Sequence, residues 1–291
     1  MVRLKAKTKT SALKILTYLA LLVFTVAALY PLIYTITNSF IGASEFSRYY
    51  GSLDNSVTAA TRNPLHIIPD RITLSGYRDV FLSRPNYLYK FWISMFLSVT
   101  ILAGQMIMSI LGGYAFSRFR FPCRDGLFFM IILLMTLPYQ VTLVPNYIML
   151  VQMGLIDNYA ALILPGICSA FGVFLLRQTM ICLPNSIFEA ARLDGAGSMR
   201  ALVSICLPGI KPSLAALVIL SFADNWNMIE QPLAFLKNRL KYPLSLFLSE
   251  INTTNPPLTF VCGVLSVIPL LLLFSYFKEE MILGIEYTGV K

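Results

Sequence analysis

Charge is scarce in this sequence. Asp, Glu, Lys and Arg together make up 13% of 291 residues, about half the share of an ordinary soluble chain, so much of its surface faces something other than water. That excludes a soluble enzyme. Histidine is almost missing: the single copy, His66, lies in a polar stretch with no partner nearby, and no Ser/His/Asp or paired-carboxylate spacing is present. The five cysteines (Cys123, Cys168, Cys182, Cys206, Cys262) never form the close pairs a zinc or redox motif needs, and they read as core residues. There is no G-x-x-x-x-G-K-[ST] phosphate cradle, so the chain binds no nucleotide by that route. No repeat of 20–50 residues and no low-complexity tract occurs.

What is present in quantity is apolar: 57% of residues are hydrophobic and the mean hydropathy is +0.70. A hydrocarbon core about 30 Å thick takes roughly 20 apolar residues as a helix, and a helix is required because lipid offers the backbone no partner. Six runs qualify: Leu16–Asn38, Phe91–Phe116, Gly126–Val144, Tyr159–Leu176, Leu214–Leu236 and Thr259–Phe277. The fold class expected is an all-α, polytopic membrane protein with six transmembrane helices. The fifth run is irregular, its clean apolar part stopping at Ala223 before Asp224, Asn225, Trp226, Asn227, Glu230 and Pro232. The first is too long for the apolar core of a signal peptide and is expected to remain as an anchor helix.

A net charge of +9 suggests nucleic acid at first, but the cations cluster between apolar runs rather than along one polar face, so no nucleic acid is expected. They fit membrane orientation instead. With the N-terminus inside, the inner segments hold fourteen cations against six acids and the outer segments nine against eight; the surpluses of eight and one account for the net charge. Both termini are then cytoplasmic. The expected organisation is a cytoplasmic tail (1–15), an anchor helix (16–38), an outer loop (39–90) with Pro64, Pro69 and Pro85, a core (91–277) and a cytoplasmic tail (278–291). Pro145 to Asp157 reads as a tight outer turn with a brief interfacial helix, and Lys237 to Pro257 as a second outer loop.

The most informative segment is the inner connection 178–211. Pro184 and Asn185 end what precedes, and Ser186 with Glu189 three residues on suggests a capping box. Ile187, Ala190 and Ala191 fall on one helical face, and Asp194-Gly195 supplies a stop. The helix is about nine residues, some 13 Å, followed by a second over Ser198 to Cys206 and by Pro212 opening the fifth span. Small residues permit close approach by another surface, while Glu189 and Arg192 fix register by charge. The plainer alternative is that Glu189 merely caps and the two short helices pack on each other.

Glu189-Ala190-Ala191, Gly195, Ile205 and Leu207-Pro208, at their spacing between two apolar runs, resemble the EAA loop of permease subunits of binding-protein-dependent ABC importers. The carbohydrate-importer branch related to the inner maltose permease is similar over more of the chain: Ile68-Pro69, Thr73-Leu74 and Tyr77, then Arg118-Phe119-Arg120-Phe121, Pro138 with Pro145, Trp226-Asn227, and the tail Gly284-Ile285 and Gly289-Val290-Lys291. Trp92-Ile93-Ser94 departs from the Asn-Ser pair common there, and the first outer loop is longer than typical. The resemblance implies a MetI-like permease fold and import of a sugar or oligosaccharide. The implied partners are a second permease subunit, two ABC ATPase subunits and an extracytoplasmic solute-binding protein. ATP and Mg are then bound by the ATPase subunits and no cofactor by this chain. ATPase coupling falls to Glu189, Ala190, Ala191, Arg192, Asp194, Gly195, Ile205, Leu207 and Pro208.

Polar residues inside a span mark a cavity, partner or pathway, which makes Gln105, Asp224, Asn225, Trp226 and Asn227 candidates for the substrate pathway or gate; the alternative is that those near 224–227 sit at the interface and cap the span. Ser109 and Gly113 allow two helices to approach closely, within one subunit or between two. A permease for a peptide, glycerol phosphate or another polyol fits the same coupling loop. A stand-alone secondary transporter would need matched broken helices in two halves, and only the fifth run is visibly broken.

Overall fold

The computed structural model describes residues 2–50, 68–83, 86–254 and 256–289. His66, Pro64, Pro85, Asn255, Val290 and Lys291 lie outside the described residues. All the regular structure among the described residues is helical, with no strand. The helices used below are α1 (Val2–Asn38), α2 (Ala43–Tyr50), α3 (Ser75–Arg78), α4 (Asn86–Arg118), α5 (Arg124–Thr136), α6 (Tyr139–Gln152), α7 (Ala160–Ile167), α8 (Ala170–Ile181), α9 (Asn185–Leu193), α10 (Ser198–Gly209), α11 (Lys211–Trp226), α12 (Glu230–Phe235), α13 (Leu244–Thr254) and α14 (Pro256–Gly289).

Four of the expected spans are long, apolar helices: 16–38, 86–118, 160–181 and 257–280. The other two are bent pairs, giving up to six spans when each pair counts as one. α5 turns by 103° into α6, and α10 turns by 80° into α11. The third expected run is thereby corrected: Gly126–Val144 is not one straight rod but 13 residues of α5, about 20 Å, then α6 beginning at Tyr139. Pro138, extended at φ −60 and ψ 138, makes the break, because proline disfavours helix at the residue before it. The expected interfacial helix thus starts six residues before Pro145, which α6 carries inside it.

The chain forms two compact units. One comprises Met1–Tyr87 with Glu250–Leu265. In it the aromatic ring of Tyr34 on α1 meets Phe260 edge-on at 5.8 Å, and Ser39 shares a 2.8 Å hydrogen bond with the Tyr77 hydroxyl. The other comprises Leu88–Ser249 with Ser266–Lys291 and holds the functional sites.

Inside this second unit α4 crosses α8 with almost no gap. A methyl placed on Gly172 would stand 2.1 Å from Ser109 Oγ, and one on Gly113 3.1 Å from Leu176 Cβ. The small residues of α4 therefore serve packing within the chain. Under the crossing lies a core of Tyr114, Leu176, Met180, Phe188, Leu202, Cys206 and Leu217. The expectation that all five cysteines are core residues fails for three: Cys206 and Cys262 are buried, whereas Cys123, Cys168 and Cys182 are exposed.

Candidate functional site

Two sites occupy the second unit. The first is the α9–α10 segment. α9 begins after Pro184, which stands at its N-cap with no side-chain capping bond. The expected Ser186–Glu189 capping box is thus absent, since the helix starts two residues earlier than a Ser186 cap would place it and carries Ser186 in its first turn. This removes the plainer reading of Glu189, which is exposed. The face assignment is corrected as well: Phe188 and Ala191 are the buried pair, while Ile187 and Ala190 point outward with Glu189 and Arg192. Leu193 is 89% exposed, an apolar side chain whose burial is favourable by about 2 kcal/mol.

The end of α9 is built as expected. Gly195 has φ +79; its N–H donates to the Arg192 carbonyl at 3.0 Å and the Ala196 N–H to the Ala191 carbonyl at 2.9 Å, the double bond pattern of a glycine-terminated helix. Asp194 is the exposed C-cap. A Cβ on Gly195 would meet no atom of the described residues within 4 Å. In α10, Ile205 and Leu207 pack against the core of the unit, and Pro208 is exposed.

What holds α9 in place is Arg118, at the end of α4. Its Nη1 donates to Asn185 Oδ1 at 2.5 Å, its Nη2 to the carbonyls of Met180 at 2.5 Å and Leu183 at 3.0 Å, and its guanidinium lies 3.9 Å over the Phe188 ring. The neighbouring Tyr114 hydroxyl donates to the Ser198 carbonyl at 3.1 Å. Arg177 repeats the device, its guanidinium 3.7 Å over Phe128 and its Nε donating to the Phe116 carbonyl at 3.3 Å. In the sequence Arg118 is visible only as part of Arg118-Phe119-Arg120-Phe121, which carries no mark of this task.

The second site is a cavity of about 840 Å³ lined by α4, α5, α6, α7, α8, α11 and α12. It brings together Gln105 and Asn225, 120 positions apart: Asn225 Nδ2 donates to Gln105 Oε1 at 3.0 Å, and Gln105 Nε2 to the Gly166 carbonyl at 2.8 Å. Asp224 lines the same space. Trp226 and Asn227 do not. The Trp226 ring is buried between Phe91 and Phe222, at 5.4 and 5.6 Å, and its indole N–H donates to the Ser266 carbonyl at 3.1 Å. Asn227 caps α11 through Nδ2 to the Ala223 carbonyl at 2.9 Å. α11 thus runs three residues past Ala223 before it breaks.

Tyr139, Asn146 and Gln231 also line the cavity and were not foreseen. The signal was available: Tyr139, Thr142 and Asn146 recur at i, i+3 and i+7, which places polar groups on one face of an otherwise apolar helix.

At the far end of α4, Lys90 stands 28 residues from Arg118, about 42 Å along the helix. Its buried Nζ donates to the carbonyls of Arg239 at 2.5 Å and Leu240 at 2.7 Å. Asp157, at φ +62, accepts from the N–H groups of Lys237 and Asn238, both at 3.0 Å, and pairs with Lys241 at 2.9 Å. The expected second outer loop is therefore a clasped turn leading into α13, with Leu244 buried. The Lys241 ammonium and the two backbone N–H donors hold the Asp157 carboxyl down at about 2. A depressed carboxyl stabilises the fold above its unfolded value near 4 and loses that contribution as pH falls toward 2. Asp157→Asn is expected to loosen the turn, so trypsin cleavage after Arg239 and Lys241 in the membrane-inserted protein should quicken several-fold; an unchanged digestion rate would show the clasp to be idle.

Apolar helices long enough to span a bilayer, a pinned, exposed short helix and a cavity carrying a few polar groups are the build of a multi-pass membrane permease. The chain belongs to the family of binding-protein-dependent transport system inner membrane components, whose model matches residues 105–279. It is 29% identical to the arabinooligosaccharides transport system permease protein AraQ of Halalkalibacterium halodurans, over 91% of each chain. It is 33% identical to the sn-glycerol-3-phosphate transport system permease protein UgpE of Pectobacterium atrosepticum, over 78% of this chain and 77% of that one. Among solved structures, a chain of a bacterial ABC transporter involved in the import of the acidic polysaccharide alginate superposes with a TM-score of 0.75 at 23% identity, covering 91% of this chain and 95% of that one. The fold is that of an ABC importer permease. The protein is a multi-pass inner-membrane transport subunit and not an enzyme.

Proposed function

We propose that this permease forms half of the path for a sugar or oligosaccharide and is driven through α9 and α10 by a separate ATPase. The observation that carries the coupling reading is α9 itself: a short helix, exposed on its Glu189, Ala190 and Leu193 side and pinned at its start by Arg118. A rigid helix transmits a displacement that a slack loop would absorb. Glu189, Ala190, Arg192, Leu193 and the open side of Gly195 meet the ATPase; Ala191, Ile205 and Leu207 hold the helix pair on the core.

Two ATPase subunits, carrying ATP and Mg, and a second permease subunit complete the importer, and an extracytoplasmic binding protein delivers the cargo. The Lys/Arg bias puts both termini and α9 on the cytoplasmic side. The names of AraQ and UgpE support a polyhydroxylated cargo, as do aromatic and amide groups in one cavity. Family membership sets aside a transporter working alone.

Leu193→Cys, with Cys123, Cys168 and Cys182 replaced by serine, tests the coupling reading in the assembled importer. A short bifunctional crosslinker should capture a nucleotide-binding subunit, with a yield that changes when ATP is added. No adduct in either nucleotide state would overturn it.

A further inference from the structure

We infer that the cavity between α4, α6, α8 and α11 admits a polyhydroxylated cargo without negative charge, and that Asp224 is the residue that turns anions away. This rests on reading the cavity as this chain's share of the cargo path. Family membership does not decide the point, since one relative is named for arabinooligosaccharides and another for a glycerol phosphate.

The lining decides it. Among the described residues around the cavity there is no Lys, Arg or His, and Asp224 is the one charged side chain. A phosphate or uronate entering this space would give up water for walls with no cation to receive it, and sites that hold such groups are built from Arg and Lys or from helix N-termini. Helix N-termini reach the lining at Tyr139 of α6, Ala161 of α7, Ala170 of α8 and Gln231 of α12, and at α8 Ser169 Oγ already accepts from the Gly172 N–H at 3.0 Å. What such ends supply is partial charge, set against the full charge of Asp224. Within a cavity whose walls are mostly apolar side chains that carboxylate is screened less than one in bulk water.

Hydroxyl groups meet the opposite reception. Asp224 accepts without donating. After the Gln105–Asn225 and Gln105–Gly166 bonds, each amide keeps one N–H to give. Tyr139 and Phe171 add aromatic rings to the lining, a type of surface that suits the apolar side of a sugar.

Cys168 is exposed and lines the cavity, so it reports the local charge without knowledge of the cargo. In the complete importer, with Cys123 and Cys182 replaced by serine, Cys168 is treated with the trimethylammonium-ethyl or the sulfonato-ethyl methanethiosulfonate. The thiolate attacks the reagent's sulfenyl sulfur, a disulfide forms and methanesulfinate leaves. Rates are read by mass at Cys168, each divided by the same reagent's rate with a small free thiol. The cationic reagent should be favoured at least tenfold, with Asp224→Asn bringing the ratio toward one and Asp224→Lys inverting it. Equal rates in the unaltered protein, a ratio indifferent to both substitutions, or no reaction with either reagent with and without ATP would overturn the inference. So would uptake of radiolabelled sn-glycerol 3-phosphate by cells carrying the complete importer. The Leu193→Cys crosslink does not depend on Asp224, so failure of the coupling reading is told apart from failure of this one.

Discussion

Gly195→Trp is expected to lower uptake by at least a hundredfold while the importer still hydrolyses ATP and the chain still reaches the membrane in normal amount. Within this chain the substitution is nearly harmless. The positive φ of Gly195 costs an ordinary L residue about 1–2 kcal/mol, and a side chain there points into open space. The damage must come from whatever fills that space in the assembled importer. Gly195→Asn separates the two effects, because asparagine tolerates the left-handed conformation and is small; it should retain most of the uptake. Normal uptake by the tryptophan variant would remove Gly195 from the coupling surface. Equal loss in both variants would place the effect in the helix end rather than at a contact.

The spans were legible because twenty apolar residues in a bilayer leave the backbone one choice. So was the stop at Gly195, since a glycine after Asp194 has few other uses. The start of α9 was not. Ser186 and Glu189 satisfy the capping pattern, yet Arg118 reaches across from α4 to hold Asn185, and a contact 67 residues away leaves no local mark. The faces of α9 were misjudged for a related reason. Alanine fits either face, and Phe188 is drawn inward by the guanidinium stacked upon it, leaving Ile187 outside.

The cavity was half legible. Gln105, Asp224 and Asn225 stand out as polar residues in apolar runs, and two of them bond to each other. Trp226 stood out equally but is spent on packing between α4 and α11, which composition alone does not distinguish from a sugar-facing ring. The face of Tyr139, Thr142 and Asn146 was obscured because the helix carrying it starts at a sharp turn inside what reads as one continuous span.

Arg118→Ala should uncouple the importer, with uptake falling at least tenfold while ATP hydrolysis continues. The guanidinium ties three elements at one point: the end of α4, the end of α8 with the carbonyl of Leu183 just past it, and the first residue of α9. Helix ends leave carbonyls short of internal partners, that of Met180 accepting otherwise from the Leu183 N–H at 3.3 Å, and a cation there also meets the negative end of the helix dipole. With one hydrogen bond from a charged group contributing about 1.5–3 kcal/mol and ring stacking about 1 kcal/mol, truncation loosens the joint by an amount able to let α9 move without α4. Arg118→Lys supplies the charge but neither the planar fork nor the stack, so it should fall between the alanine variant and the unaltered protein. Asn185→Ala, which removes a single contact, should be milder still and guards against reading simple misfolding as uncoupling. Spin labels at Ile110 on α4 and Glu189 on α9 give the independent measure: their distance distribution should broaden in Arg118→Ala and recover in part in Arg118→Lys. A sharp, unchanged distribution together with normal uptake would show that the joint holds without its arginine.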